Sequence, residues 1–171
     1  MTNTTFENMK RREAKIQTMM TVAHTISYDG TCSRATVGAV LTTEDGRVFS
    51  TGYNGSPRGW AHCLDVGCDV VKDGNNREHC VRAAHAETNA IINAARAGVT
   101  TKGSILYCTH RPCHVCWKLI VNAGVSEVYY DKHYDDLKTN EFVILHQGSK
   151  LYKVSTGGQT WRDHGNTLSL Q

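Results

Sequence analysis

The 171-residue chain has no run of about 18 apolar residues, which excludes a transmembrane helix, and no membrane partner is expected. Its opening stretch, MTNTTFENMKRREAK, lacks an apolar core and does not read as a secretory signal, so the cytoplasm is the expected compartment. There is little excess charge of either sign. The formal net charge of +3 is too small for composition alone to indicate a nucleic-acid binder, though it is compatible with a small anionic substrate. No internal repeat or low-complexity tract is visible. Hydrophobic residues at 40% and charged residues at 20% fit a soluble globular chain, long enough for one domain with a real core.

Cysteine, by contrast, is plentiful: there are seven. In a cytosolic chain disulfides are disfavoured, so metal ligation or catalysis becomes the leading explanation. The odd count also leaves at least one cysteine outside any complete pairing.

The hydrophobic pattern predicts an amphipathic helix over residues ~9–28, with Ile16, Met19, Met20, Ala23 and Ile26 on one stripe. TVGAVLTT and RVFSTGYN are β-rich runs joined by EDGR, whose Asp-Gly is a hairpin signal. Residues 55–82 have little periodicity, and a loop that long needs something to pin it. A helix over about 84–97 follows. SILYCTH reads as a buried strand, PCHVCWKLIVNAG as a short helix with Pro112 in its first turn, and EVYYD as another strand. Residues ~135–147 look helical and KLYKVS is a last strand. This order implies an α/β fold, a mixed sheet of about five strands with helices on both faces. Residues 1–155 would form the domain. Residues 156–171 would be a tail, disordered or used at subunit contacts.

Two helix starts carry the chemistry. HAETNA, residues 85–90, opens a helix that ends near Gly98, and places a histidine and a glutamate two apart. On an established helix such residues diverge, so His85 and Glu87 can share only a target lying off the N-terminal end, at the positive pole of the dipole. In RPCHVC, Cys113 and Cys116 are three apart and lie on one face of a helical first turn. His85, Cys113 and Cys116 are three ligands suited to zinc, and a catalytic zinc keeps its fourth position for water. Glu87 then has a role that a fourth ligand would lack, handling the protons of that water. Each residue alone has a blander reading, as a cap, a core group or a redox pair. Together, His-Ala-Glu followed by Pro-Cys-x-x-Cys matches the signature of zinc deaminases.

On these motifs the chain resembles the cytidine deaminase superfamily. CSRATVGAVLTTEDGRVFSTGYNGSPRG and HCLDVGCDVVKDGNNREHCVRAAHAE narrow the resemblance to deoxycytidylate (dCMP) deaminases, over residues ~18–147. It implies a three-layer sandwich around a five-stranded sheet, and zinc-dependent hydrolysis of dCMP to dUMP and ammonia. Glu87 would protonate N3 of the cytosine and then carry a proton to the departing amine. The family often has SPC or EPC where this chain has RPC, which leaves the ligands untouched and puts the charge of Arg111 near the mouth.

Asn54, Ala86, Tyr130 and Tyr134 are the candidate substrate contacts. Asn54 can both donate and accept, while either tyrosine could stack on the base or belong to the core. Arg34, Arg58, Arg96 and Lys132 are available to a phosphate, and the sequence does not choose among them. The resemblance further implies activation by dCTP and inhibition by dTTP, with Mg2+ accompanying the triphosphate. The regulatory site would lie near Gly52 and Gly55, where Arg34 and Arg96 are candidate participants. It also implies a homohexamer and no nucleic-acid partner. A second, structural zinc is expected from Cys32, Cys63 and two of Cys68, His79 and Cys80, because it would pin the loop at 55–82.

Overall fold

The computed structural model describes residues 3–74, 76–146, 148–155, 159–165 and 167–170. Helix α1 (Asn3–Ser27) leads into a hairpin of β1 (Gly38–Thr42) and β2 (Val48–Tyr53), whose turn places Gly46 at φ +91°. That left-handed conformation suits glycine, as the Asp-Gly signal requires. The irregular stretch contains only a short α2 (Cys63–Val66) and a two-stranded β3 (Val70–Lys72) and β4 (Glu78–Cys80). Then come α3 (Ala86–Arg96), β5 (Ile105–His110), α4 (His114–Asn122), β6 (Glu127–Lys132), α5 (Leu137–Leu145) and β7 (Lys150–Val154). The chain closes with β8 (Thr160–Asp163) and β9 (Leu168–Leu170). Among the described residues no helix is long and apolar enough to cross a membrane.

The main sheet runs β2-β1-β5-β6-β7-β8-β9. Strands β5, β6 and β7 are parallel, as helical crossovers demand, and the other neighbours are antiparallel. Alternation along each strand splits the core into two layers. Leu106, Cys108, Val128, Tyr130 and Leu151 face the layer shared with Ala86, Ala90, Ala94, Trp117 and Ile120 of α3 and α4. Tyr107, Tyr129 and Tyr152 face the opposite layer with Ile16 and Met20 of α1, their rings stacked at 5.2 and 4.9 Å between centroids. Each buried aliphatic side chain contributes roughly 1.5–3 kcal/mol. Gly52 lets β2 approach α3 closely, because a Cβ there would lie 2.3 Å from the Ala86 carbonyl oxygen and 2.4 Å from Ala90 N.

The α/β sandwich with helices on both faces is as expected, but the sheet has seven strands rather than five. The difference comes from the C-terminal segment read as a tail. Its residues 160–163 pair with β7, and 168–170 pair in turn with 160–163. Within residues 156–171, positions 156–158, 166 and 171 lie outside the described residues. The segment was hard to read because its strands are short and half exposed, with no clear alternation.

Candidate active site

Both motif helices form, each starting about two residues later than the sequence reading placed it. His85 is the N-cap of α3 and Cys113 the N-cap of α4, with extended backbones (ψ 153° and 167°). Neither side chain is used in capping, so both are free to face a common point. Pro112 stands just before that cap rather than inside the helix. His85 Nδ1 lies 3.2 Å from Cys116 Sγ and 3.4 Å from Cys113 Sγ. Tetrahedral zinc with bonds of ordinary length would separate such nitrogen and sulfur ligands by about 3.6 Å. The two cysteines are buried, and all three donor atoms lie within 4.8 Å of one another.

The three donors shift one another's titration. Hydrogen bonding to Cys116 and the neighbouring His85 hold the Cys113 thiol down to about 4, against its burial. His85 is pushed up to about 9, chiefly by Cys113. Glu87 is 4% exposed, and burial raises its carboxyl above the ordinary range, with His85 pulling the other way. It lies in the first turn of α3 and lines the cavity beside His85 and Cys113.

A cavity of about 300 Å³ opens onto the triad. Its lining joins His85, Ala86, Glu87 and Cys113 to Arg34, Asn54 and Tyr134. Asn54 ties the wall together: its Oδ1 accepts from Val37 N at 2.7 Å and its Nδ2 donates to Ala35 O at 2.7 Å. Arg34 pairs with Glu78 across the mouth at 3.2 Å. Tyr134 is 37% exposed at the rim. Tyr130 corrects the expectation of a substrate contact. It is 1% exposed in the core, does not line the cavity, and donates its hydroxyl to Asp163 at 2.8 Å. In the even alternation of β6 it faces the helices from beneath.

The sequence reading missed several parts of this site. His110, whose burial lowers its pKa, lines the cavity just ahead of RPC. Asp136 caps α5, and its Oδ2 also accepts from the His114 backbone N and lies 2.8 Å from His114 Nδ1. It thereby fastens the loop bearing Tyr134 to the helix bearing Cys116. Burial alone would raise its carboxyl, but these hydrogen bonds hold it down to about 2. Asp-Asp-Leu could be read as a cap; its His114 partner carried no local signal.

The remaining cysteines, apart from Cys108 in the core, form a second cluster. Sγ atoms of Cys32, Cys63, Cys68 and Cys80 lie within 4.8 Å of one another, with Cys32–Cys68 and Cys63–Cys80 both at 3.6 Å. Four sulfurs around one zinc would stand about 3.8 Å apart. His79 is outside the cluster, and its Nε2 lies 3.0 Å from Asp73. A strand reverses successive side chains, so β4 can send Cys80 inward only by turning His79 away. A separate cavity of about 720 Å³ is lined by Tyr53, Gly55, Arg58, His62, Asn93 and Arg96 among others. Gly52 and Arg34 do not line it, Gly52 being used in packing β2 on α3. Lys132 lines neither cavity.

Residues 13–132 match the family model described as the cytidine and deoxycytidylate deaminase zinc-binding region. ComE operon protein 2 of Bacillus subtilis (strain 168) is 42% identical over 118 residues, 69% of this chain and 59% of that protein. The chain thus spans less than two thirds of that relative's length. Deoxycytidylate deaminase of Enterobacteria phage T4 is 29% identical over 174 residues, 82% of this chain and 90% of that protein. The crystal structure of dCMP deaminase from the cyanophage S-TIM5 in complex with dCMP and dUMP superposes with a TM-score of 0.65 at 30% identity. The superposition covers 81% of this chain and 95% of that one.

Proposed function

The chain belongs to the cytidine and deoxycytidylate deaminase family, and from that premise we propose that it hydrolyses dCMP to dUMP and ammonia. The observation that carries the reading is the convergence of His85, Cys113 and Cys116 beside a buried Glu87 at the floor of a cavity. A zinc ion held by those three residues would supply a Lewis acid that makes water nucleophilic near neutral pH. Glu87, raised by its burial, would take a proton from the attacking water and give it to N3 of the cytosine, then take the remaining hydroxyl proton and give it to the departing amine. Tyr134 at the rim offers a face for the base, and Asn54 keeps a remaining donor and acceptor after its two backbone contacts. Ala86 supplies backbone at the cavity wall. Arg34, which lines the cavity as buried Arg111 also does, is the cation we assign to a 5′-phosphate. The phage relatives named for dCMP support a mononucleotide substrate, with dUMP passing to thymidylate synthesis.

The four-cysteine cluster supports a second, structural zinc, closed by four sulfurs with no position left for water. Arg58 and Arg96 in the larger cavity would suit the phosphates of an effector there, and the family resemblance implies dCTP as activator and dTTP as inhibitor, with Mg2+ accompanying the triphosphate. Trp60, 62% exposed near that cavity, supports a homo-oligomer, for which the family resemblance implies a hexamer. Seven free cysteines support a reducing, cytoplasmic setting.

The deciding experiment is ammonia release by the zinc-loaded protein from dCMP, deoxycytidine, CMP and a cytosine oligonucleotide, each with and without dCTP and magnesium. Turnover of dCMP that disappears in Glu87→Ala while zinc remains bound is the expected result. Activity confined to the nucleoside or the oligonucleotide would refute the substrate, and none on any of them would refute the reaction.

A further inference from the structure

Arg111 stands between the end of β5 and Pro112, just ahead of Cys113. Its side chain is 1% exposed, and its Nε donates to Asp163 Oδ2 at 2.7 Å while Nη2 reaches Oδ1 at 3.4 Å. The Asp163 carboxylate, 4% exposed, also accepts from the Tyr130 hydroxyl and from Gly165 N, both at 2.8 Å. Asp163 ends β8, in the segment beyond residue 132 where the family match stops.

Removing two charges from water is costly, and their mutual attraction offsets the cost only when the geometry is well made. Here Arg111 Nη1 is also buried without a partner among the described residues, which adds to the cost. Net stability is therefore a poor reason for this pair. Its placement offers a better one. The Arg111 backbone N donates to Lys132 O at 2.9 Å, so the residue is gripped by β6 through its backbone and by β8 through its side chain. A fork of charged hydrogen bonds is directional, whereas an apolar side chain of the same volume could slide. The β5–α4 junction is thereby held in one position, and Cys113 with it.

We infer that Arg111 is a positioning residue for the metal triad and that Asp163 of the C-terminal hairpin is the anchor through which it acts. This rests on reading the triad as a zinc site. Residues bonded behind metal ligands typically alter metal affinity or activity by about 10–100-fold when removed. Arg111 bonds to no ligand and acts only through the backbone it shares with Pro112 and Cys113, so the lower end of that range, about 10-fold, is expected here.

The test compares zinc-loaded wild type with Arg111→Met/Asp163→Asn, which removes both charges yet leaves an acceptor for the Tyr130 hydroxyl. Zinc at the triad is titrated with a chromophoric chelator, and His85→Ala reports the zinc held by the cysteine cluster alone. The expected result is a Tm within a few degrees of wild type, with triad zinc affinity and kcat lower by about 10-fold and KM nearly unchanged. A lowered Tm with triad zinc affinity and kcat at wild-type values would overturn the inference, leaving a merely structural pair. If the double variant does not fold, Arg111→Lys keeps the charge without the fork and is read by the same two outcomes. A wild-type chain that bound no zinc at His85, Cys113 and Cys116 would refute the metal reading first, and this inference with it.

Discussion

The two clusters of metal-ligating side chains are built from similar atoms for different ends. The triad has three donors, opens onto a cavity and has a carboxylate at its side. The four-cysteine cluster joins α2, β4 and the loops around them, and no acid is among its members. An open site can do chemistry on water, and a closed one can only hold chain together. Yet Cys32 and Cys80 also line the cavity from the wall facing the triad. The four-cysteine cluster therefore shapes part of the cavity wall.

The largest effect should come from Glu87→Gln. It should lower kcat by about 10²–10⁴-fold while both zinc ions stay, since general acid–base catalysis is worth that range. Stopped assays with metal analysis on the same sample check it. An equal loss of kcat from Cys63→Ser at unchanged Tm would erase the contrast between the clusters. Instead Cys63→Ser should remove one zinc and lower stability by more than about 3 kcal/mol, the scale of a lost structural metal, as read by denaturant melts. Arg34→Ala should raise KM for dCMP about 10-fold with little change in kcat, the worth of one charged hydrogen bond. A matching rise in KM for deoxycytidine would show that Arg34 does not meet the phosphate.

Smallest is Asp136→Asn, which keeps the cap through its amide oxygen but loses the Oδ2 acceptor of the His114 backbone N, and should cost about 1 kcal/mol at neutral pH, the net worth of one hydrogen bond. Asp136 is held down to about 2, so its stabilisation is complete above the ordinary carboxyl value near 4 and fades as pH falls towards 2. The difference in Tm between wild type and Asp136→Asn should close over that window.

The triad was legible because its members sit in two short motifs at helix starts, where spacing alone fixes direction. The cysteine cluster was only half legible. Cys32 and Cys63 were named, but choosing among Cys68, His79 and Cys80 required the register of β3 on β4, which two exposed three-residue strands do not reveal. Tyr130 was ambiguous for a similar reason, since a strand gives each residue one of two faces and the motif did not say which. Asp163 carried no signal at all. Its partner Arg111 lies far away in sequence, and β8 is too short for periodicity. The five-strand core followed from alternating helices and strands, whereas the added hairpin depended on contacts with β7.

Native mass spectrometry of wild type, His85→Ala and Cys63→Ser, counting zinc per chain, tests the division of labour most directly. Two zinc ions in wild type and one in each variant, with folding preserved in His85→Ala and weakened in Cys63→Ser, is the predicted result. A single zinc in wild type, or two retained after His85→Ala, would contradict it.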